Sequence, residues 1–356
     1  MASILMAITH HSGERQMNNI TTIGLDLAKR VFQVHGVDQD GGPVLKKQLR
    51  RGQVVKFFAT LSPCLIGMEA CSSAPYWARE LRTYGHDVRL IPPQYVRPFL
   101  KTNKHDAADA EAIAEAVVRP NMRVVPIKSP DQQAVLMLHR SRELLVKQRT
   151  MLINALRGHC SEFGITASRG ASRIDDLLTV ITDLADIRLP AWAREALRVL
   201  MAQLQGVKEA IRHVERQLQV WHRSQQGSQR LTTIPGVGVI TATALIATIG
   251  DGRQFKSGRH LSAWLSLVPR QHSSGGKSRL GRISKRGDGY VRRLLVHGSR
   301  AVLRWQRGAP KQPVPWITAL LKRRPTNVVL VAMANKTART VWAMMRDQQH
   351  FNPVFR

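Results

Sequence analysis

Five residues are of types, and stand in places, that could do phosphoryl chemistry. Asp26 sits among apolar neighbours near the end of an expected strand, and Glu69 ends the apolar run 64–68. A carboxylate at such a place is costly unless something neutralises it. Asp106 and Asp109 are three apart, so on a helix they share one face about a turn apart. Gathered at strand ends, the four would form a hard oxygen ligand set that suits Mg²⁺ or Mn²⁺. Two such ions, about 3.5–4 Å apart, clamp the attacking and leaving oxygens of a phosphodiester exchange. Each acid also has a structural explanation. Asp106 suits a helix N-cap with Asp109 near the positive end of the dipole; Asp26 could pair with Lys29 or Arg30, and Glu69 could satisfy a buried arginine.

The fifth residue is Ser274, which precedes Gly275 and Gly276, so its backbone can take unusual angles and its hydroxyl can approach a phosphate closely. A serine hydroxyl is a weak nucleophile at neutral pH and needs help. Arg270, His272, Lys277, Arg279 and Arg282 are near enough in sequence to stabilise charge on a pentacoordinate phosphorus. Lys285 and Arg286 follow, and Arg292 and Arg293 open an expected basic helix over 290–305 that also carries His297. Residues 252–300 hold twelve Lys and Arg against one acid, Asp288. The alternative is a Ser/Gly loop that grips phosphate without covalent chemistry. Upstream, the segment 231–250 places Gly236 and Gly238 between two short helix-forming arms, a helix-hairpin-helix pattern whose glycines let backbone N–H groups approach a phosphate. A tight turn between packed helices would read the same way.

Positioning these residues requires several kinds of element. The pattern predicts strands over 21–27, 31–37 and 44–49 with a turn at 38–42, a helix over 54–61, a strand over 64–68, a helix over 76–84 and a strand over 88–91. A helix starting at Asp106 completes a mixed sheet with helices on its faces. Apolar residues then recur at three and four positions over 131–160 and 191–221, as expected of two long amphipathic helices, either in a coiled-coil hairpin that serves assembly or in ordinary bundle packing. The run 328–345 predicts a closing helix, and Trp264, Trp305, Trp316 and Trp342 are expected in the core. The fold class is therefore α/β plus α, with an extension over 1–19, a sheet domain over 20–128, a helical connector over 129–226 and a mainly helical domain over 227–356.

A chain of 356 residues exceeds what one hydrophobic core usually serves, so two or three domains are expected. Its net charge of +30, with 39 of the 54 basic residues Arg, points to a polyanionic partner gripped through planar guanidinium groups. Apolar residues at 43% are enough for folded cores. Three cysteines without a CxxC pattern fit a reducing cytoplasm. The apolar stretches 237–249 and 328–334 are too short or too rich in Thr for a bilayer, and residues 1–19 lack a signal-peptide pattern, so no membrane role is expected.

An acid after the first strand, an acid after a later strand and a DxxD pair opening the last helix of a mixed sheet resemble an RNase H/RuvC-like nuclease. The motifs GLDLAK at 24–29, GME at 67–69, DAADA at 106–110, IPGVG at 234–238 and SSGG at 273–276, in this order over most of the chain, resemble the DEDD-type insertion-sequence transposases. That group includes the Piv invertases and bridge-RNA-guided recombinases. The resemblance implies an N-terminal RuvC-like domain, a coiled-coil connector and a C-terminal transposase domain with a serine. It implies Asp26, Glu69, Asp106 and Asp109 as metal-binding carboxylates, and Ser274, or its neighbour Ser273, as the nucleophile of a 5′-phosphoserine link. It implies double-stranded DNA and a noncoding guide RNA as partners, and assembly from dimer to tetramer. A hydrolytic RuvC-like nuclease or junction resolvase, and a non-enzymatic nucleic-acid binder, are the alternatives.

Overall fold

The computed structural model describes residues 19–101, 105–168, 170, 173–285, 287–308 and 314–351. The 1–19 extension, Asn19 apart, and Arg286 lie outside the described residues. The chain forms two compact units, residues 1–129 and 130–356.

The first unit is built on strands β1 (Thr22–Leu27), β2 (Val31–Val37), β3 (Pro43–Arg50), β4 (Leu65–Glu69) and β5 (Asp87–Ile91), in the order β3-β2-β1-β4-β5. β1 to β3 form an antiparallel meander, while β4 and β5 extend it in parallel from β1. The turn before β3 forms because Asp38 Oδ1 accepts from the backbone of Gly42 at 2.7 Å and Gly41 supplies φ +84°. Parallel pairing needs crossovers. Helix α1 (Val54–Ala59) lies in the first and α2 (Ala74–Arg82) in the second. α3 (Pro93–Val96) then leads to α4 (Asp106–Val117).

Strand alternation divides the sheet into two faces. Ile23, Leu25, Phe32, Val34, Ile66 and Met68 join Phe58, Trp77, Ala78 and Leu81 of α1, α2 and their flanks in one buried core. The opposite face receives α4. There Gly24 and Gly67 are register partners on β1 and β4, and a Cβ on Gly24 would lie 2.0 Å from Ala110 O, one on Gly67 2.8 Å from Val117 Cβ. This pair of glycines is the trough in which α4 lies.

The second unit is helical: α5 (Pro130–Ser161), α6 (Ile174–Thr182), α7 (Ala191–Ser224), α8 (Gln226–Leu231), α9 (Val239–Ile249), α10 (Gly258–Trp264), α11 (Gly289–Arg307), α12 (Pro315–Leu321) and α13 (Thr326–Asp347). Its only strands among the described residues, β6 (Pro269–Gln271) and β7 (Leu280–Ile283), pair as a hairpin. α5 and α7 run antiparallel, since Val135 clusters with Leu218 at one end and Leu156 with Leu197 and Leu204 at the other. On α7 the buried Leu197, Leu204, Ile211 and Leu218 are seven apart, the spacing of a coiled-coil seam. α9, α10, α11 and α13 share a further core. No described helix is long and apolar enough to cross a membrane.

Two of the four tryptophans expected in the core are surface residues: Trp305 is 65% exposed and Trp264 40%. The buried stripe of α11 runs Val291, Leu295, Ser299, Leu303, and Trp305, two residues further, falls on another side of the helix. Trp342 is anchored as expected, its Nε1 donating to Phe255 O at 3.1 Å.

Candidate functional site

Gly24 to Asp26 and Gly67 to Glu69 are each a step of two along a strand, so both acids project to the face on which α4 lies. The close approach that the glycines permit brings the first turns of α4 beside them, and Asp109 directly precedes Ala110, whose carbonyl abuts Gly24. Asp26, Asp106 and Asp109 thereby each offer a carboxylate oxygen, all within 4.8 Å of one another. Glu69 does not belong to that group of three. It stands at the end of the neighbouring parallel strand, and its charge acts on Asp26.

The electrostatics are those of acids gathered together. Burial, and then the charges of Asp109, Asp106 and Glu69, push the Asp26 carboxyl up to about 6. The pairing of Asp26 with Lys29 or Arg30, open from the sequence, is not formed among the described residues. Nor is Asp106 the cap: His105 is the N-cap, its Nδ1 accepting from Ala108 N at 3.3 Å, which leaves Asp106 free of that task. Convergent carboxylates without a basic partner are the donor chemistry of a hard divalent cation. The residues present fit one.

The serine lies in the second unit and in a different setting. Ser274 and Lys277 form an isolated bridge, with Lys277 N donating to Ser274 O at 3.1 Å, and Gly275 (φ +55°) and Gly276 (φ +75°) make the turn between them. Two positive φ values are the signature of a hairpin turn that only glycine enters freely. The two serines differ. The Ser273 hydroxyl accepts from Gln271 Nε2 at 3.0 Å and from Arg279 N at 3.2 Å, fixing the hairpin, whereas the exposed Ser274 hydroxyl has no hydrogen-bond partner among the described residues.

The basic residues divide as well. Arg270 donates to Ser284 O at 3.0 Å, Arg292 to Leu265 O at 3.1 Å and Gly287 O at 3.3 Å, and Arg293 pairs with Glu143 over the Tyr290 ring. These three tie the hairpin and α11 into the unit. Lys277, Arg279, Arg282 and Lys285 are exposed, and their side chains have no ion pair or hydrogen bond among the described residues. His297 is exposed on α11. In the glycine turn before α9, Gly236 (φ +85°) faces Gly298 of α11 so closely that a Cβ on Gly298 would lie 1.9 Å from Gly236 O. Gly236 therefore serves helix packing, while Gly238 is the exposed N-cap of α9, and a Cβ there would meet nothing within 4 Å.

Two features carried no weight in the sequence reading: the Gly24/Gly67 trough and the capping by His105. The first had a visible signal, since each strand acid follows a glycine two residues earlier.

Residues 23–164 match the DEDD domain of IS110-type transposases, and residues 228–313 match the transposase IS116/IS110/IS902 family. The chain is 52% identical over 336 residues to a probable family 20 transposase of Pseudomonas aeruginosa, covering 94% of this chain and 99% of that protein. It is 41% identical over 337 residues to the transposase for insertion sequence element IS1111A of Coxiella burnetii, covering 95% and 93%. A more distant likeness, 24% over 215 residues and 57% of this chain against 56% of the relative, is to a pilin gene-inverting protein of Moraxella bovis. By these matches the chain belongs to the IS116/IS110/IS902 family of insertion-sequence transposases.

Proposed function

We propose that this transposase breaks and rejoins DNA through two sets of groups, the carboxylates Asp26, Glu69, Asp106 and Asp109 on an RNase H/RuvC-like sheet and the Ser274 hydroxyl, acting on one phosphodiester. The observation that carries the reading is the convergence of Asp26, Asp106 and Asp109 within 4.8 Å, with no basic partner among the described residues. These carboxylates would hold Mg²⁺ or Mn²⁺, which would supply positive charge to the phosphodiester oxygens. Asp26 and Glu69 hold their positions from the strand ends, and Asp106 and Asp109 from α4.

Ser274 Oγ attacks phosphorus and gives up its proton to a base. The Oγ–P bond forms as the P–O3′ bond breaks, and the departing 3′-oxygen takes a proton, leaving a 5′-phosphoserine link. Attack by the DNA 3′-hydroxyl of the exchanged strand reverses these steps and frees the serine. Lys277, Arg279, Arg282 and Lys285 stabilise charge on the phosphoryl group or hold the adjoining backbone. Arg270, Arg292 and Arg293 support the hairpin, and Arg286 belongs with the basic frame by its place in the sequence. Gly236 and Gly238 form the turn of a helix-hairpin-helix that offers backbone N–H groups to a DNA phosphate. The net charge of +30 supports a second polyanion, a guide RNA from the element, beside double-stranded DNA. The long helices α5 and α7 support assembly as a dimer or tetramer.

A suicide DNA substrate carrying an element end, analysed on denaturing gels with and without Mg²⁺, tests the reading. A protein–DNA adduct that disappears in Ser274→Ala, and fails to form in Asp26→Ala, is the expected result. Nicked ends without an adduct would establish hydrolysis by water instead, and binding without any cleavage would leave a nucleic-acid binder. RNA copurifying at moderate salt as one discrete species is expected; random fragments alone would remove the guide.

A further inference from the structure

The sheet face under α4 carries more than the acids. Strand register aligns Lys46, His35 and Gly24 across β3, β2 and β1, and in the next row Gln48, Gln33 and Asp26. Between these rows and the start of α4 lies a cavity of about 450 Å³, with Gln33, His35, Lys46 and Gln48 on the sheet wall and Phe99 and Ala108 on the other. Its volume is that of a site for a small organic ligand. His35 at its base is only 6% exposed and has no hydrogen-bond partner among the described residues. The His35 ring nitrogens still reach the cavity, within the field of the Glu111 carboxylate that also lines it, so they can hydrogen-bond to a molecule that enters.

The lining decides the ligand class. An anion sink would gather free cations, but Lys101 is taken up by Glu111 at 3.1 Å and Glu115 at 3.3 Å. Lys47 is likewise engaged, its ammonium 5.1 Å from the centre of the Phe57 ring, which belongs to the opposite core. What remains among the described lining residues is one ammonium without an ion pair, on Lys46, beside two amides, the imidazoles of His35 and the capping His105, an aromatic ring and small apolar residues of α4, with the Glu111 carboxylate held by Lys101. That set fits a flat heteroaromatic ring with a polar edge joined to a single phosphate. Position agrees with composition. Gln33 and Asp26 are direct cross-strand partners, so the cavity begins one strand spacing, about 5 Å, from the carboxylates.

We propose that this cavity is a base-binding subsite, which takes the base of the nucleotide flanking the phosphodiester held at the carboxylates. His35, Gln33 and Gln48 meet its polar edge, Phe99 and Ala108 bound its ring, and Lys46 meets its phosphate. The proposal rests on the carboxylates being the phosphodiester site. It adds a pocket that pulls one base out of the stack and so fixes which phosphate reaches them.

The test uses the full chain with labelled histidines, the His35 ring signal being assigned through His35→Gln. The four deoxynucleoside 5′-monophosphates are titrated in turn, with inorganic phosphate as the control. A saturable shift of the His35 signal is expected with at least one nucleotide and not with phosphate. In the double variant Lys46→Ala/Gln48→Ala, altered only at exposed positions, affinity should fall roughly tenfold. No shift with any nucleotide, an equal shift with phosphate, or unchanged affinity in the double variant overturns the subsite. Mn²⁺ binding, followed on the same sample by paramagnetic resonance, separates the two readings. Mn²⁺ bound without a nucleotide response rejects the subsite alone, whereas no Mn²⁺ binding rejects both, since the cavity would then flank no reaction centre.

Discussion

The acids and the serine are held by opposite means. Asp26 and Asp109 are positioned by a five-stranded sheet and a helix in backbone contact, at the border of a buried core. Ser274 sits on a two-stranded hairpin exposed along its whole tip from 271 to 280, with open space around both turn glycines. The carboxylates are therefore pre-organised, and their mutual repulsion is sustained by packing. The serine is presented on an exposed tip, with no core packing to fix its geometry. Fixed dipoles and charges act best from rigid supports, whereas the nucleophile proposed for Ser274, which would join and then leave a DNA strand, would gain from standing clear of the core.

The sharpest break in this comparison is between two glycines. Gly24→Ala puts a methyl group where Ala110 O lies 2.0 Å away, and should destabilise the sheet unit by about 3 kcal/mol or more. Gly275→Ala meets nothing within 4 Å and strains only a φ of +55°, so it should cost about 1 kcal/mol locally while impairing adduct formation. Thermal melts set beside cleavage gels check both, and equal melting losses would erase the distinction.

An intermediate effect concerns Asp26. Its carboxyl titrates near 6 in the folded chain against an ordinary value of 3.8, so between these values the folded state holds the extra proton. Metal-free stability should fall as pH rises from about 4 to about 6 and stay low above. Asp26→Asn removes that fall and should melt higher than the wild type at neutral pH without metal, while cleavage should be lost. Added Mg²⁺ should raise the wild type and leave the variant nearly unmoved. Melting curves independent of pH and metal would show that the acids are not strained together.

The smallest effects separate free from committed cations. Lys277→Gln, Arg279→Gln and Arg282→Gln should each lower the slope of log affinity against log salt for DNA by about 1, with melting unchanged. Arg292→Gln loses its donations to Leu265 O and Gly287 O, and should lower the melting temperature instead. Binding isotherms at several salt concentrations distinguish the two classes.

Much of this was legible in the chain itself. The meander, the DxxD helix and the two long helices follow from periods of 2 and 3.6, and the observed helix Asp106–Val117 begins at the residue expected. Local rules failed where contacts come from far along the chain. The hairpin of β6 and β7 lacks apolar alternation, because its residues are exposed on both faces, so it read as a loop. Trp305 was expected inside on residue type alone, and only its place around α11 put it in solvent. The close packing of Gly236 against Gly298 could not be foreseen either, because the two glycines lie on different segments far apart along the chain.

Sequence alone determined which chemistry this protein can attempt, because oxygen ligands, a hydroxyl and a basic balance are properties of side chains and need no fold to be counted. Tertiary structure decided which of them act together. Burial beside three other acids turns Asp26 from an ordinary carboxylate into one that resists ionisation, and cross-strand register sets Gln33 and His35 next to it. Register and burial arise from segments far apart along the chain, so no local pattern could have fixed them.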